Sequence, residues 1–205
     1  MKYLVGFGDT EGCPHVLSND SELWDVTVLF RYIMNDIAIE NDDIFHILHL
    51  TIPKMTEKKY IKKALKTHFS SIEYLKELYG CDHARIGFWG ANHDIAVLNS
   101  YVNDHPFESI DLLSEARTSL PGMESYNVGN LCKHFEINSK QKIHTSLGDT
   151  VRLELLVPHL KLDLHKLVTK HEQQKTNGIP RRITKAAADE SIARAAILFA
   201  RKLKL

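Results

Sequence analysis

The chain opens with an apolar stretch that ends in two acids, Tyr3-Leu4-Val5-Gly6-Phe7-Gly8-Asp9-Thr10-Glu11. Its composition is typical of a buried β-strand, and side chains two positions apart on a strand lie on the same face. Asp9 and Glu11 therefore point the same way, and neighbouring carboxylates repel each other unless a cation lies between them. The pair favours a metal site if further carboxylates downstream join it. The alternative is a strand that ends in a polar turn at Gly12.

The size and composition of the chain indicate one globular domain with room for an appendage. It has 205 residues, 43% of them hydrophobic, which suits a sizeable core. No apolar run is long enough to span a bilayer, and the N-terminus lacks the pattern of a secretory signal. Three scattered cysteines without a CxxC pair indicate a reducing compartment and disfavour structural zinc. We expect a cytoplasmic protein that binds no membrane, with the nucleus as an open alternative.

The charge is balanced overall but unevenly distributed. Residues 166–205 hold ten Lys/Arg against three Asp/Glu, while residues 1–165 hold sixteen against twenty-three. This pattern predicts an acidic body over 1–165 and a basic, Ala-rich helical extension over 166–205. The extension is either a solvated helix or an arm that binds phosphates, and the sequence leaves both open.

The distribution of apolar residues predicts the order of strands and helices. Strand patterns occupy residues 3–11, 24–30 and 44–51, with short polar links that imply antiparallel pairing. A 3.6-residue period then predicts a helix over 56–79, followed by a buried parallel strand at 85–89 and a helix over 94–103. A short strand at 110–112 precedes helices at 113–118, 126–135 and 148–168, the last capped or kinked by Pro158. This order predicts an α/β mixed sheet of five strands, antiparallel first and then parallel, with helices on both faces.

Two further polar motifs lie at junctions where helices begin. Asp94 follows the strand at 85–89, at the kind of edge where ligands bind in α/β folds, although an acid there is also a common helix N-terminal residue. His144 and Asp149 are five residues apart, so they face one site only if His144 lies on a loop and Asp149 just inside the helix. Each motif taken alone is weak.

Together, four acids and one histidine in this order resemble the DEDDh (DnaQ-like) 3′–5′ exonuclease family of the ribonuclease H-like fold. The flanking residues are similar as well, at 91–98, 111–117, 126–135 and above all 144–150, His-Thr-Ser-Leu-Gly-Asp-Thr. The resemblance covers about residues 1–165. The chain departs from the family pattern at Gly12-Cys13, where many members have Thr-Gly, and at His93, where an aromatic residue is usual.

The resemblance implies a site that holds two divalent cations, Mg²⁺ or Mn²⁺, and hard oxygen ligands suit those ions. It assigns the metal to Asp9, Glu11, Asp94 and Asp149, and the role of general base to His144. Contacts with the terminal nucleotides are predicted for Thr10, Gly12, Val16, Phe88, Trp89 and Asn92. Lys140 and Lys142 are further predicted to contact backbone phosphates.

The sequence therefore predicts a metal-dependent 3′–5′ exonuclease that acts on single-stranded DNA or RNA 3′ ends and releases nucleoside 5′-monophosphates. The alternative is a non-catalytic nucleic-acid-binding or polymerase-accessory module on the same fold. A polymerase or RNA-processing partner and a homodimer are left open. Four clustered carboxylates favour the enzyme, because they would repel phosphate in a module that only binds.

Overall fold

The computed structural model describes residues 1–13, 22–53, 56–139 and 144–169. Within these ranges, six strands form one mixed β-sheet. In chain order they are β1 (Lys2–Cys13), β2 (Glu22–Asn35), β3 (Ile39–Asn41), β4 (His46–Thr51), β5 (His83–Phe88) and β6 (Glu108–Asp111).

The long first strand, β1, lies at the centre of the sheet. It pairs antiparallel with β2 on one side and parallel with β5 on the other, and β6 extends the parallel half. Both β3 and β4 pair with β2, one at residues 33–34 and the other along 25–30, so they share the outer position. This arrangement confirms the predicted mixed sheet, in which antiparallel strands come first and parallel strands follow. The sixth strand, β3, was not predicted, because three exposed residues leave no pattern of alternation in the sequence.

Helices cover both faces of this sheet, as predicted. Helices α1 (Lys58–Tyr79) and α2 (Ala91–Asn99) pack on one face with a core that includes Leu4, Ile86 and Phe88. In the described part of the chain, the other face carries four helices, which bury a second core with Tyr3, Val5 and Phe7. They are α3 (Leu112–Ser119), α4 (Val128–His134), α5 (Ser146–Leu156) and α6 (Leu164–Thr169).

The single helix predicted over 148–168 is divided in the structure. Helix α5 ends at Leu156, a 3₁₀ turn covers Val157–Leu160, and α6 begins at Leu164. Pro158 lies in the first turn of the 3₁₀ segment, where its ring and missing N–H prevent the α-helix from continuing. The sequence predicted that Pro158 caps or kinks this helix, and in the structure Pro158 lies just after the end of α5.

The body of the protein extends past the predicted boundary at residue 165. Leu167 and Val168 of α6 are buried in the second core, and Nε of Arg85 donates to the Val168 carbonyl at 3.1 Å. The rest of the predicted basic extension, from residue 170, lies outside the described residues. Among the helices that the structure describes, none has the length and apolar character that crossing a membrane requires.

Candidate active site

Three carboxylates meet where the carboxyl end of β1 contacts the first turn of α5. Asp9, Glu11 and Asp149 each offer an oxygen, and these oxygens lie within 4.8 Å of one another. Tyr3, Val5 and Phe7 face α5, so the alternation of the strand directs Asp9 and Glu11 to the same side. We call these three residues the carboxylate cluster.

The start of α5 is fixed by an N-cap at Thr145. Its hydroxyl accepts from the backbone N–H of Gly148 at 3.1 Å, and its carbonyl accepts from the N–H of Asp149 at 2.9 Å. Asp149 therefore lies in the first helical turn, where a negative charge is favourable. His144 lies on the loop just before it, with a φ of 58°. In the structure, therefore, His144 lies on a loop and Asp149 just inside the helix, which is what two residues at this spacing need in order to face one site.

Asp94 joins the site from the other side of β1. It is 3% exposed in the first turn of α2. Its Oδ1 accepts from the backbone N–H of Thr10 at 2.9 Å and from the Thr10 hydroxyl at 2.8 Å. These bonds turn that oxygen towards Thr10, and Asp94 is outside the group of three. Its charge nevertheless acts on Asp9 more than that of any other neighbour.

Burial and mutual repulsion change the acidity of these groups. Burial, followed by the charges of Asp94, Glu11, Asp149 and Asp25, raises the pKa of Asp9 to about 9. Burial also raises the pKa of Asp94 to about 6, although the Thr10 hydrogen bonds oppose that rise. The pKa of Glu11 is raised by burial and by Asp149, and His144 acts in the opposite direction.

The donor chemistry of the site fits a divalent cation. The described cluster offers carboxylate oxygens at close range, which are the ligands that Mg²⁺ and Mn²⁺ prefer. A buried carboxylate with a pKa near 9 holds a proton at neutral pH, and a cation in its place would remove the repulsion that raises the pKa.

A fifth acid, Asp25, was missed in the sequence. It is the β2 residue directly opposite Glu11 and is 9% exposed. Its Oδ2 accepts from the backbone N–H of Ser146 at 3.3 Å, and its Oδ1 lies 3.5 Å from Nε2 of His49. Asp25 thus links β2 and β4 to the first residue of α5. The available signal was an acid inside the otherwise apolar strand pattern at 24–30.

Arg152 was also missed. It lies one helical turn after Asp149, is 7% exposed, and donates from Nη1 to Oδ1 of Asp149 at 2.9 Å. The pair orients the Asp149 carboxylate and offsets part of the negative charge of the site. The signal in the sequence was an acidic and a basic side chain three residues apart in a predicted helix.

The residues predicted to contact substrate occupy different environments. Asn92 is exposed in the first turn of α2, and Gly12 is partly exposed near the end of β1. Trp89 is half-buried, and its indole N–H donates to the Tyr126 carbonyl at 2.9 Å. Thr10 is buried, and its hydroxyl donates to Asp94.

The stacking role predicted for Phe88 is wrong. Its ring is 1% exposed, lies 6.1 Å from the ring of Phe107, and would be 2.7 Å from a Cβ added at Gly8. The alternation of β5 points this side chain into the core beneath α1 and α2, so no base can reach it. Val16, Lys140 and Lys142 lie outside the described residues.

Two solved structures similar to this chain are nucleases. Exonuclease X, in complex with 5′-overhanging duplex DNA, aligns with a TM-score of 0.45 and 15% identity over 77% of this chain and 90% of its own. Cell-death related nuclease 4 (CRN-4) aligns with a TM-score of 0.48 and 9% identity over 92% of this chain and 76% of its own. No protein-family model matches the sequence, and no curated protein is significantly similar to it.

Proposed function

We propose that the protein is a divalent-cation-dependent 3′–5′ exonuclease that hydrolyses phosphodiester bonds at single-stranded nucleic-acid ends and releases nucleoside 5′-monophosphates. The observation that carries the proposal is the carboxylate cluster, whose central member Asp9 has a pKa of about 9. Burying like charges at this cost is a common feature of functional sites and serves no purpose in the core. The order of the acids along the chain, which resembles that of the DEDDh exonucleases, supports the proposal as well.

Asp9, Glu11 and Asp149 would hold the cation, with Asp94 as the fourth ligand residue. When bound, Mg²⁺ or Mn²⁺ would neutralise the scissile phosphate and make water a better nucleophile. Arg152 keeps the Asp149 carboxylate in one orientation. Thr10 does the same for Asp94 through two hydrogen bonds.

His144 is the residue we propose as general base. It is exposed on the loop before α5 and is close enough to Glu11 to oppose the rise in that residue's pKa. A neutral imidazole has a ring nitrogen whose lone pair can accept a proton, so His144 can take one from the attacking water. The adjacent Thr145 N-cap fixes the distance between this loop and Asp149.

The terminal nucleotide would lie over Gly12 and Asn92, two predicted contact residues that have accessible surface at this edge. Gly12 has no side chain to obstruct a sugar, and the Asn92 amide offers both a donor and an acceptor. Trp89 is tied to the Tyr126 carbonyl, so it would support the nucleotide with its remaining exposed face.

The test compares the unmodified protein with Asp9→Ala on oligonucleotides labelled at the 5′ end. We expect a ladder of products shortened from the 3′ end in the presence of Mn²⁺ or Mg²⁺, and no ladder from Asp9→Ala. Asp43→Ala is the matched control, because Asp43 is an exposed acid in the link between β3 and β4. Circular dichroism checks that each variant is folded.

Matched DNA and RNA oligonucleotides digested side by side would identify the preferred sugar. A binding module is the second candidate function. Binding of these oligonucleotides without hydrolysis under any divalent cation would support that module and reject the enzyme.

A further inference from the structure

A basic groove of about 550 Å³ lies between the first half of α1 and the segment that follows α2. Lysines of α1 form one wall, and residues 99–104 form the other. Asp104 contributes the only carboxylate among the lining residues. We call this feature the lysine groove, and its basic residues are Lys58, Lys59, Lys62 and Lys66.

The stability of α1 does not explain these lysines. Lys58, Lys62 and Lys66 are spaced by four residues, so they lie on one helical face and repel one another. The first turn contains no acid, although acids rather than lysines stabilise that end of a helix. The core contacts of α1 are made by other residues, such as Ile61 and Leu65.

Much of the positive charge in the groove is not neutralised. Lys59 pairs with Glu57 at 2.9 Å, and the Lys58 ammonium lies 5.6 Å from the centre of the Tyr101 ring. Lys62 and Lys66 form no salt bridge with any acid in the described ranges. The groove is therefore a concave surface that favours an anion.

The groove lies at the same edge of the sheet as the carboxylate cluster. Thr51, the last residue of β4, pairs with Asp25, which pairs with Glu11, and α1 begins shortly after β4. The other wall begins at Asn99, five residues after Asp94 on α2. At 1.5 Å per helical residue, Asn99 is about 7.5 Å from Asp94 along the helix, which is about two nucleotide steps of a stacked strand.

From this placement we propose that the lysine groove binds backbone phosphates of the strand whose 3′ end lies at the carboxylate cluster, a few nucleotides from the scissile bond. The proposal rests on the proposed function and extends it to substrate length. Buried carboxylates repel a polyanion, and a positive groove on the same edge raises the local concentration of nucleic acid. The groove would select strands long enough to reach it.

The test compares Lys62→Gln/Lys66→Gln with Lys133→Gln/Lys166→Gln. The second pair removes two exposed lysines from α4 and α6, on the other face of the sheet. For each protein, kcat/KM is measured on a twelve-nucleotide single strand and on the p-nitrophenyl ester of thymidine 5′-monophosphate, which is too short to reach the groove. We expect the ratio of the two values to fall about tenfold for the groove variant alone.

Binding in EDTA gives a readout that does not depend on catalysis. Fluorescence anisotropy of the labelled twelve-mer across a salt series should show that losing two phosphate contacts reduces the slope of log K against log salt by about 1.4. The proposal would be overturned if the ratio of kcat/KM values and the salt slope were unchanged in the groove variant. Equal decreases in the control pair would also overturn it. Binding of phosphatidylserine vesicles through these lysines without oligonucleotide binding would also overturn it. If neither substrate is hydrolysed, the proposed function fails, and the salt slope alone decides the groove.

Discussion

The carboxylate cluster and the lysine groove are both sets of like charges, and they lie at the same edge of the sheet. The cluster is half-buried between β1 and α5, whereas the lysines are exposed along α1. Repulsion between buried charges is strong because the interior screens it poorly, and water and salt weaken the same repulsion at the surface. The cluster therefore needs a cation or protons to be stable, while the groove tolerates its charge without a ligand.

The difference in burial leads to two kinds of recognition, of a cation by the cluster and of an anion by the groove. A compact, half-buried cluster binds few ions in a fixed geometry, and each ligand contributes much of the affinity. An exposed groove binds a long polyanion with many weak, salt-sensitive contacts, and each lysine matters little. The expected effects below decrease in that order, from the site to the surface.

Loss of His144 should have the largest effect on turnover among changes that keep the carboxylates. General bases contribute about 10²- to 10⁴-fold, so His144→Ala should lower kcat by that factor while Mn²⁺ affinity stays within a few fold. Single-turnover assays and titration calorimetry measure the two quantities. His134→Ala, an exposed histidine in α4, is the control. Loss of Mn²⁺ binding in His144→Ala would contradict its role as a base.

Asp25 should act through position rather than contact with the substrate. Asp25→Ala removes the acceptor for the Ser146 N–H and the partner of His49, and residues that orient metal ligands typically contribute 10- to 100-fold. We expect a fall of that size in kcat/KM. Asp25→Asn keeps an oxygen acceptor and should restore most of the activity. Equal loss in both variants would show that the charge, and not the hydrogen bond, is what matters.

The affinity for Mn²⁺ should rise with pH. The pKa of Asp9 is about 9 in the metal-free fold, so at lower pH the cation must displace a proton from this carboxyl. Each unit of pH up to about 9 should therefore increase the apparent affinity by up to about tenfold. Calorimetry at pH 6.5, 7.5 and 8.5 measures this, and buffers of different ionisation enthalpy report the released proton. An affinity that is constant with pH would mean that Asp9 is not a ligand.

The free energy of unfolding in the absence of metal can be measured for variants of both regions. We expect changes in this quantity to be the smallest effects. Because the folded pKa of Asp9 lies above its ordinary value of 3.8, the wild-type protein loses stability as pH rises from about 4 to 9. Asn does not titrate, so Asp9→Asn should be more stable by about 1 to 3 kcal/mol at pH 8 in EDTA, and this gain should vanish below pH 4. Lys62→Gln should increase stability by only about a few tenths of a kcal/mol, and this increase should disappear at high salt. Urea denaturation measures both, and a larger gain for Lys62→Gln would reverse the comparison.

The strand order was predictable because it depends on local patterns of apolar residues. The apolar alternation of β1 and the 3.6-residue period of α1 specify their faces without reference to the rest of the chain. The order Asp9, Glu11, Asp94, His144 and Asp149 supplied the site residues through resemblance. Their roles remain predictions that the experiments above address.

Features that depend on pairing between distant segments were not predictable in this way. Asp25 meets Ser146 only because β2 and α5 are brought together by the sheet, and nothing in the sequence near either residue indicates the contact. Phe88 was assigned to stacking because an aromatic pair preceded the second motif, but which of Phe88 and Trp89 faces the core depends on the pleat of β5. The division of α5 from α6 depended on how strongly Pro158 interrupts a helix that also packs on the sheet.

The central position of β1 also has a consequence for biosynthesis. This strand leaves the ribosome before its partners β5 and α5, which are made about 80 and 140 residues later. A nascent chain therefore carries Asp9 and Glu11 long before Asp94 and Asp149 exist to complete the site. Because long-range pairing of this kind forms late in folding, the protein should be inert towards nucleic acid until almost the whole body has been translated.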